Sequence, residues 1–179
     1  NEKQTFLSNN NGVSKAWLYR DEDADSLLDS TDTLLSAAKI QIDSAIGTVD
    51  FDNTTSGAID INNNLAALAT INNITNGGIG AITFDQTGND ALTIAGAVTG
   101  GGNVTITNTG NAAVDALTVN AVVSSTGAGT VSLTTFTRGD IAVNQNITSA
   151  GGVINVSASD NMTLTGTTIN ANAGTINLD

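Results

Sequence analysis

The sequence predicts an all-β protein: a parallel β-helix, or β-solenoid, of roughly 22–27-residue coils, preceded by a small β-module with an Asp-rich loop. Three observations predict this fold class. Apolar and polar residues alternate over short stretches, these stretches recur at a nearly constant spacing, and glycine-rich turns return in the same phase. The composition agrees, since the 179 residues include 27 Thr, 23 Asn and 19 Gly but no Pro.

Pairs of apolar residues separated by one polar residue mark the predicted strands. The first set recurs at spacings of 22, 27, 23 and 22 residues: Ile82 and Phe84, Val104 and Ile106, Val131 and Leu133, Ile154 and Val156, Ile176 and Leu178. A second set lies between them: Leu92 and Ile94, Leu117 and Val119, Ile141 and Val143, Met162 and Leu164. A third set consists of the single residues Val98, Val123, Ile147 and Ile169. Stacked coils would place like residues above like and pair their strand edges.

Two points stay open at this stage. A β-sandwich also has strands about ten residues apart, although it gives no reason for glycines to return in phase every coil. Residues 65–74 break the pattern, because their apolar residues Leu65, Leu68, Ile71 and Ile74 are spaced by three. This stretch is either a short helix inserted between coils or an irregular coil.

Charge divides the chain into two regions. Residues 1–52 carry 10 acidic and 4 basic residues, whereas residues 53–179 carry 7 acidic residues and one base, Arg138. We therefore predict an N-terminal β-module at 1–47, with a strand around residues 15–20, and a β-solenoid at 48–179. Val49 and Phe51, followed by Ile59 and Ile61, read as one earlier, degenerate coil.

Composition excludes several classes of function. Without Cys or His, the chain has no thiolate site, no His-ligated metal and no Ser-His-Asp triad. The net charge of −12 and five scattered cations are unsuited to nucleic acid, which requires clustered Lys and Arg. No segment approaches the roughly 20 apolar residues of a membrane span, so we expect no membrane insertion.

An Asp-rich segment at residues 21–32 is the sharpest local motif. Its oxygen donors fall at relative positions 1, 3, 5, 9 and 12, with an apolar residue at 8, which fits a calcium loop. The predicted Ca²⁺ ligands are Asp21, Asp23, Asp25, Leu27 through its backbone carbonyl, Asp29 and Asp32. The loop resembles the EF-hand-like loops of dockerins, but it has Ser26 where those loops have Gly and Asp32 where they have Glu. The alternative is a solvated acidic turn.

The coils themselves carry a second resemblance. The stretch GDIAVNQNITSAGGVINVSASDNMTLTG at residues 139–166 is similar to the repeats of bacterial surface β-solenoid proteins, which include filamentous-haemagglutinin, autotransporter-passenger and surface-layer-like adhesins. The likeness covers roughly residues 79–179. It implies an exported chain of stacked parallel coils at the cell surface, working as a fibre, stalk or adhesin.

These observations lead to a functional expectation. We expect a non-enzymatic structural component of an extracellular or cell-surface fibre, layer or large adhesin, because the solenoid acids are isolated along the chain and glycosidases need paired carboxylates. The alternative is an adhesin module that binds a glycan or a protein. The last residues match the opening of a new coil, so we expect association with other copies or neighbouring subunits through residues 153–179.

Overall fold

The computed structural model describes the backbone of residues 3–10, 13–20, 33–34 and 39–40, and residues 41–179 with their side chains, apart from 55, 89 and 110–115. Every regular element in this part of the chain is a β-strand. In chain order the strands are β1 (Lys3–Asn10), β2 (Val13–Arg20), β3 (Thr33–Leu34), β4 (Lys39–Ser44), β5 (Thr48–Asn53), β6 (Ala58–Asn63), β7 (Ala69–Asn76), β8 (Ile82–Gln86), β9 (Leu92–Ile94), β10 (Val98–Gly100), β11 (Val104–Asn108), β12 (Ala116–Val119), β13 (Val123–Ser125), β14 (Val131–Thr135), β15 (Asp140–Val143), β16 (Ile147–Ser149), β17 (Ile154–Ser157), β18 (Met162–Leu164), β19 (Ile169–Asn170) and β20 (Ile176–Leu178).

The strands stack into a parallel β-solenoid of about six coils, as the sequence predicts. Face 1 is a seven-stranded parallel sheet in the order β4-β6-β8-β11-β14-β17-β20. Face 2 contains β9, β12, β15 and β18, and face 3 contains β10, β13, β16 and β19. The longer strand β7 pairs with both β9 and β10, so it serves faces 2 and 3 together.

The core is formed by the three predicted sets of apolar residues. On face 1, Ile82, Val104, Val131, Ile154 and Ile176 are successive partners. On face 2 the partners are Leu92, Leu117, Ile141 and Met162, and on face 3 they are Val98, Val123, Ile147 and Ile169. The side chains from residue 82 to residue 156 in these ladders are buried. Each side chain thus packs on its equivalent in the next coil, which confirms the predicted inward register.

The coils widen along the chain at the corner between faces 2 and 3. The paired ladder residues that flank this corner are Val49 and Phe51, Ile71 and Ile74, Ile94 and Val98, Val119 and Val123, Val143 and Ile147, Leu164 and Ile169. One, two, three, three, three and four residues separate these pairs in turn. The first coils therefore have two sides, and the later coils have three.

Strand β7 shows which of the two predicted structures, a short helix or an irregular coil, residues 65–74 adopt. Residues 69–74 belong to strand β7, so this stretch is not a helix. Ile71 and Ile74 both point inward because Asn72 is an additional residue, opposite the register shift between Val49 and Asp50 of β5. A spacing of three in an apolar pattern thus arises here from a bulge at a corner of the coil.

The N-terminal strands form an antiparallel group that joins the sheet of β5 and β7. Strands β1 and β2 pair as a hairpin from Lys3↔Arg20 to Asn10↔Val13, and β3 pairs antiparallel with β2. One register pair, Val13↔Thr48, connects β2 to β5. Strand β4 lies within the region predicted as the N-terminal module, yet it belongs to the parallel sheet of face 1. The division of the chain at 47/48 stays a prediction.

Candidate functional site

The predicted calcium ligands Asp21, Asp23, Asp25, Leu27, Asp29 and Asp32 lie outside the described residues. The flanking residues 13–20 form strand β2, as the sequence predicts for residues 15–20. Among the residues that are described, no group of three or more acidic side chains is placed to hold a metal ion. The calcium site therefore stays a prediction from the sequence.

A patch of carboxylates on face 1 is the first candidate site. Asp60 pairs with Thr83, two residues before Asp85, so the two acids lie on neighbouring strands as diagonal neighbours. Asp43 lies one strand further, and its Oδ1 accepts a hydrogen bond of 2.8 Å from Asn62 Nδ2. This patch is not evident from the sequence, because its three acids are 17 and 25 residues apart along the chain. The pairing register was the signal that could have revealed it.

An open cavity lies beside this patch, at the corner between faces 1 and 2. Its volume is about 470 Å³, and its lining consists of Asp43, Ser44, Asn62, Asn64 and Thr87. The Ser44 hydroxyl oxygen is buried there and has no hydrogen-bond partner among the described residues. The lining is polar throughout and contains one carboxylate, that of Asp43.

Buried polar side chains form two further columns, which the sequence analysis did not predict. At the corner between faces 1 and 2 the column contains Asn63, Gln86, Asn108 and Thr135, all buried. At the corner between faces 3 and 1, Asn53 and Asn76 are followed by Gly100, Ser125 and Ser149. Their side chains bind turn carbonyls, as in the bonds from Asn76 Nδ2 to the carbonyls of Gly57 and Gly80, both 2.9 Å. These columns fix the turns and carry no reactive group.

The outward columns are small and mostly uncharged. On face 2 the outward partners are Thr48, Thr70, Thr93, Thr118, Ala142 and Thr163. Outward amides bind one another between coils, as in the bonds from Asn144 Nδ2 to Asn120 Oδ1 (2.9 Å) and from Asn177 Nδ2 to Asn155 Oδ1 (2.7 Å). Outward Asn side chains of neighbouring coils therefore stack and hydrogen-bond to one another.

A turn at residues 136–139, again between faces 1 and 2, is the second candidate site. Thr137 and Arg138 have left-handed φ angles of 51° and 69°, and Gly139 N donates to the carbonyl of Phe136 at 3.2 Å. Two successive left-handed residues under such a bond define a type I′ turn. Phe136, Thr137 and Arg138 are exposed, and Gly139 is buried. We name this feature the 136–139 turn.

Sequence reasoning treated Arg138 only as the isolated base of residues 53–179. The sequence carries no signal for this turn, because type I′ turns favour Asn or Gly at their central positions. In this chain, whose corners are otherwise rich in those residues, Thr and Arg at the centre of a tight turn depart from the local pattern.

These features define the chain as a β-solenoid with polar surfaces and one strained, projecting turn. Comparison with protein-family models, with curated proteins and with solved structures found no match. Nothing in the described part of the chain forms a helix of the length and apolarity needed to traverse a lipid bilayer.

Proposed function

We propose that this chain is a non-enzymatic structural segment of an extracellular or cell-surface fibre, layer or large adhesin that assembles by stacking β-coils. The observation that carries the proposal is the unbroken pairing of face 1 from β4 to β20. In such a stack, backbone hydrogen bonds run along the axis from coil to coil, so the solenoid resists extension as one unit. That property suits a fibre or a stalk.

The surface chemistry supports the same proposal. The outward columns offer Thr, Ser and Asn, which hydrogen-bond between coils and leave few charges on the sides of the stack. The sequence has no His or Cys, and the acids of face 1 lie on an open sheet. This is a surface for packing in an assembly rather than for acid–base chemistry, and we propose that it faces the outside of the cell.

Self-association is the third part of the proposal. Leu164, Ile176 and Leu178 occupy inward positions of the last coil, and each is 41–45% exposed. Equivalent positions in the preceding coils are buried, so one more coil laid on this face would cover these three side chains. We propose that another copy of the chain, or a neighbouring subunit, stacks here, and we propose no role in nucleic-acid binding or membrane insertion.

Electron microscopy and sedimentation of the purified chain test this proposal. We expect ordered fibres or layers in micrographs and concentration-dependent association in solution. Ile176→Lys should weaken the association by placing a charge on the stacking face, whereas Asn177→Lys, on the outward side of the same strand, should not. A strictly monomeric chain at high micromolar concentration, without ordered structures in micrographs, contradicts the proposal.

We further propose that Ca²⁺ stabilises residues 1–47 through Asp21, Asp23, Asp25, Leu27, Asp29 and Asp32. The support is the ligand spacing and the mutual repulsion of six acids within 12 residues. Calcium at 100 times its dissociation constant would add about 2.7 kcal/mol to the free energy of unfolding. The test is thermal melting with calcium and with chelator, for the parent chain and for the double variant Asp23→Ala, Asp25→Ala. Equal melting temperatures for the parent in both conditions contradict calcium binding.

The second candidate function is a binding module of an adhesin. One specific observation favours it: the Phe136 ring is exposed at a corner of the coil, where a partner can contact it. Phe84, the other aromatic residue after position 52, is buried in the core.

A further inference from the structure

The 136–139 turn has unusual residue types at its left-handed backbone positions. In the described residues the other left-handed positions are Gly151, Gly166 and Asn172, residue types that adopt the left-handed region at little cost. Thr137 and Arg138 pay about 1–2 kcal/mol each for the same conformation. Backbone strain of this kind is concentrated at functional sites, where the surrounding structure holds it in place.

The surrounding structure does hold this turn. Phe136 N donates to the carbonyl of Asn108 in the preceding coil at 3.1 Å, and Arg138 N donates to Ser159 Oγ in the following coil at 3.2 Å. Within the turn, Thr135 Oγ1 donates to the carbonyl of Gly139 at 2.6 Å. The backbone is thus fixed from both sides while three side chains project, which lowers the entropy cost of binding a ligand.

The Phe136 and Arg138 side chains contribute little to the packing and hydrogen bonding of the described residues. The Phe136 side chain is 49% exposed. The Arg138 guanidinium makes no hydrogen bond or ion pair with any residue that the structure describes, and only the backbone N–H of this residue is bonded. An apolar ring and a guanidinium group with five N–H donors are therefore both exposed on the same turn, two residues apart.

The surroundings of the turn distinguish between kinds of partner. Next to it, the following coil presents Ser159 and Asp160, both exposed, which add a hydroxyl and a carboxylate acceptor. At this corner the following coil exposes no large apolar side chain, and residues 108–109, the part of the same corner that is described in the preceding coil, are an Asn and a Thr. A protein interface needs a wider apolar centre than one ring, and a small free ligand needs a concave site. A polymer that carries many hydroxyl groups fits a convex turn with one ring and mixed donors and acceptors.

Charge then selects among such polymers. The chain has a net charge of −12, and Asp140 and Asp160 flank the turn, so a polyanion would be repelled by the whole chain and by its nearest neighbours. A neutral polymer meets no such barrier.

We propose that the 136–139 turn binds a neutral polysaccharide. The Phe136 ring packs against the apolar face of one sugar, Arg138 donates hydrogen bonds to hydroxyl oxygens, and the Asp160 carboxylate accepts one from a hydroxyl group. This site lies on the side of the solenoid, so binding is independent of the proposed stacking along the axis.

Native electrophoresis tests this proposal, in gels cast separately with dextran, galactomannan or xyloglucan and compared with a gel without polymer. We expect at least one polymer to retard the parent chain. Phe136→Ala and Arg138→Gln should each weaken the association about two- to tenfold, the range expected for losing one aromatic contact. Ile79→Ala is the matched control, because it removes an apolar side chain that is 85% exposed at another corner, and it should leave retardation unchanged.

The outcomes separate clearly. Urea unfolding of each variant checks that the exposed substitutions leave the fold intact. No retardation in any of the three gels, or equal retardation of the parent and both turn variants, overturns the proposal. Retardation by polygalacturonate or polyglutamate but by no neutral polymer also overturns it, since the ligand would then be a polyanion. Because each protein is compared between gels with and without polymer, these results are distinct from a failure of the chain to form fibres.

Discussion

Asn63 Nδ2 donates a hydrogen bond of 2.8 Å to Gln86 Oε1 across two successive coils, and both side chains are completely buried. Gln86 Nε2 in turn donates to the carbonyl of Leu65 at 2.7 Å. Asn63 also donates to the carbonyl of Ile46 and accepts from its N–H. Two amide side chains thus bind the polar backbone of two corners where no sheet pairing reaches.

Gln86→Met should therefore destabilise the chain strongly. The substitution keeps the volume but leaves the Leu65 carbonyl and one Asn63 N–H without partners, each at a cost of about 1–3 kcal/mol. The free energy of urea unfolding measures this loss. Asn144→Ala removes a hydrogen bond of similar length between two side-chain amides on the surface. It should lower the free energy of unfolding by no more than about 0.5 kcal/mol. Similar losses in the two variants would show that Gln86 is not a structural amide.

The inward and outward sides of β15 give a second prediction. Ile141 is 1% exposed, whereas Ala142 points outward between Thr118 and Thr163. Ile141→Asn should cost several kcal/mol, since it loses about 1.5–3 kcal/mol of apolar burial and leaves an amide unpaired. Ala142→Thr should be neutral or slightly stabilising, because Thr favours strands and would fill the one gap in the threonine column. Equal effects on urea unfolding would refute the register of β15.

Glycine at position 96 is required by close contact between coils. A Cβ at Gly96 would overlap the carbonyl oxygen of Asn72, while a Cβ at Gly47 would meet Leu65 Cδ2 at 3.8 Å. Gly96→Ala should therefore destabilise the chain by about 1–3 kcal/mol or more, the cost of overpacking. Gly47→Ala, which makes the same chemical change at an ordinary van der Waals distance from Leu65 Cδ2, should have little effect on the melting temperature. If both alanine variants melted with the parent, the corner above Asn72 would have to be wider than described.

The strain in the 136–139 turn gives a prediction of opposite sign. Thr137→Asn should stabilise the chain by up to about 1 kcal/mol, because Asn tolerates the left-handed φ of 51° that Thr137 adopts. Thr148→Asn, in the middle of strand β16, should give no gain, since Asn is disfavoured in strands. Calorimetry of the two variants measures the difference. A lower melting temperature for Thr137→Asn would show that the Thr137 side chain contributes more than its backbone strain costs.

Much of the fold follows from one-residue alternation in the sequence. The pairs such as Ile82 and Phe84 predicted the strands, and their recurrence predicted the ladders, because burial of one face makes register nearly inevitable. Strand β4 was harder to predict. Its apolar residues Ile40 and Ile42 also alternate, but neighbouring Leu and Ala residues obscured the pattern.

The candidate sites were less predictable than the core, because they depend on geometry that spacing does not encode. Asp60 and Asp85 become neighbours through the pairing of β6 with β8. Alternation places Gln86 on the inward side with Ile82 and Phe84, but the sequence does not show that the Leu65 carbonyl accepts a hydrogen bond from this buried amide. The left-handed angles of Thr137 and Arg138 oppose local preference, so a prediction from preference alone misses them.

The widening corner between faces 2 and 3 bears on how a repetitive chain avoids misalignment. Coils with identical lengths can shift by one whole coil and still bury the same side of each strand, so uniform repeats are prone to pairing with the wrong coil. Here Val49 and Phe51 are separated by one residue, Ile71 and Ile74 by two, and Ile94 and Val98 by three. A chain that skipped a coil while folding would pair corners of unequal length. The additional residue Asn72 would then no longer lie opposite the register shift in β5. The graded corner therefore makes the first three coils non-interchangeable, and it favours a single order of assembly along the chain.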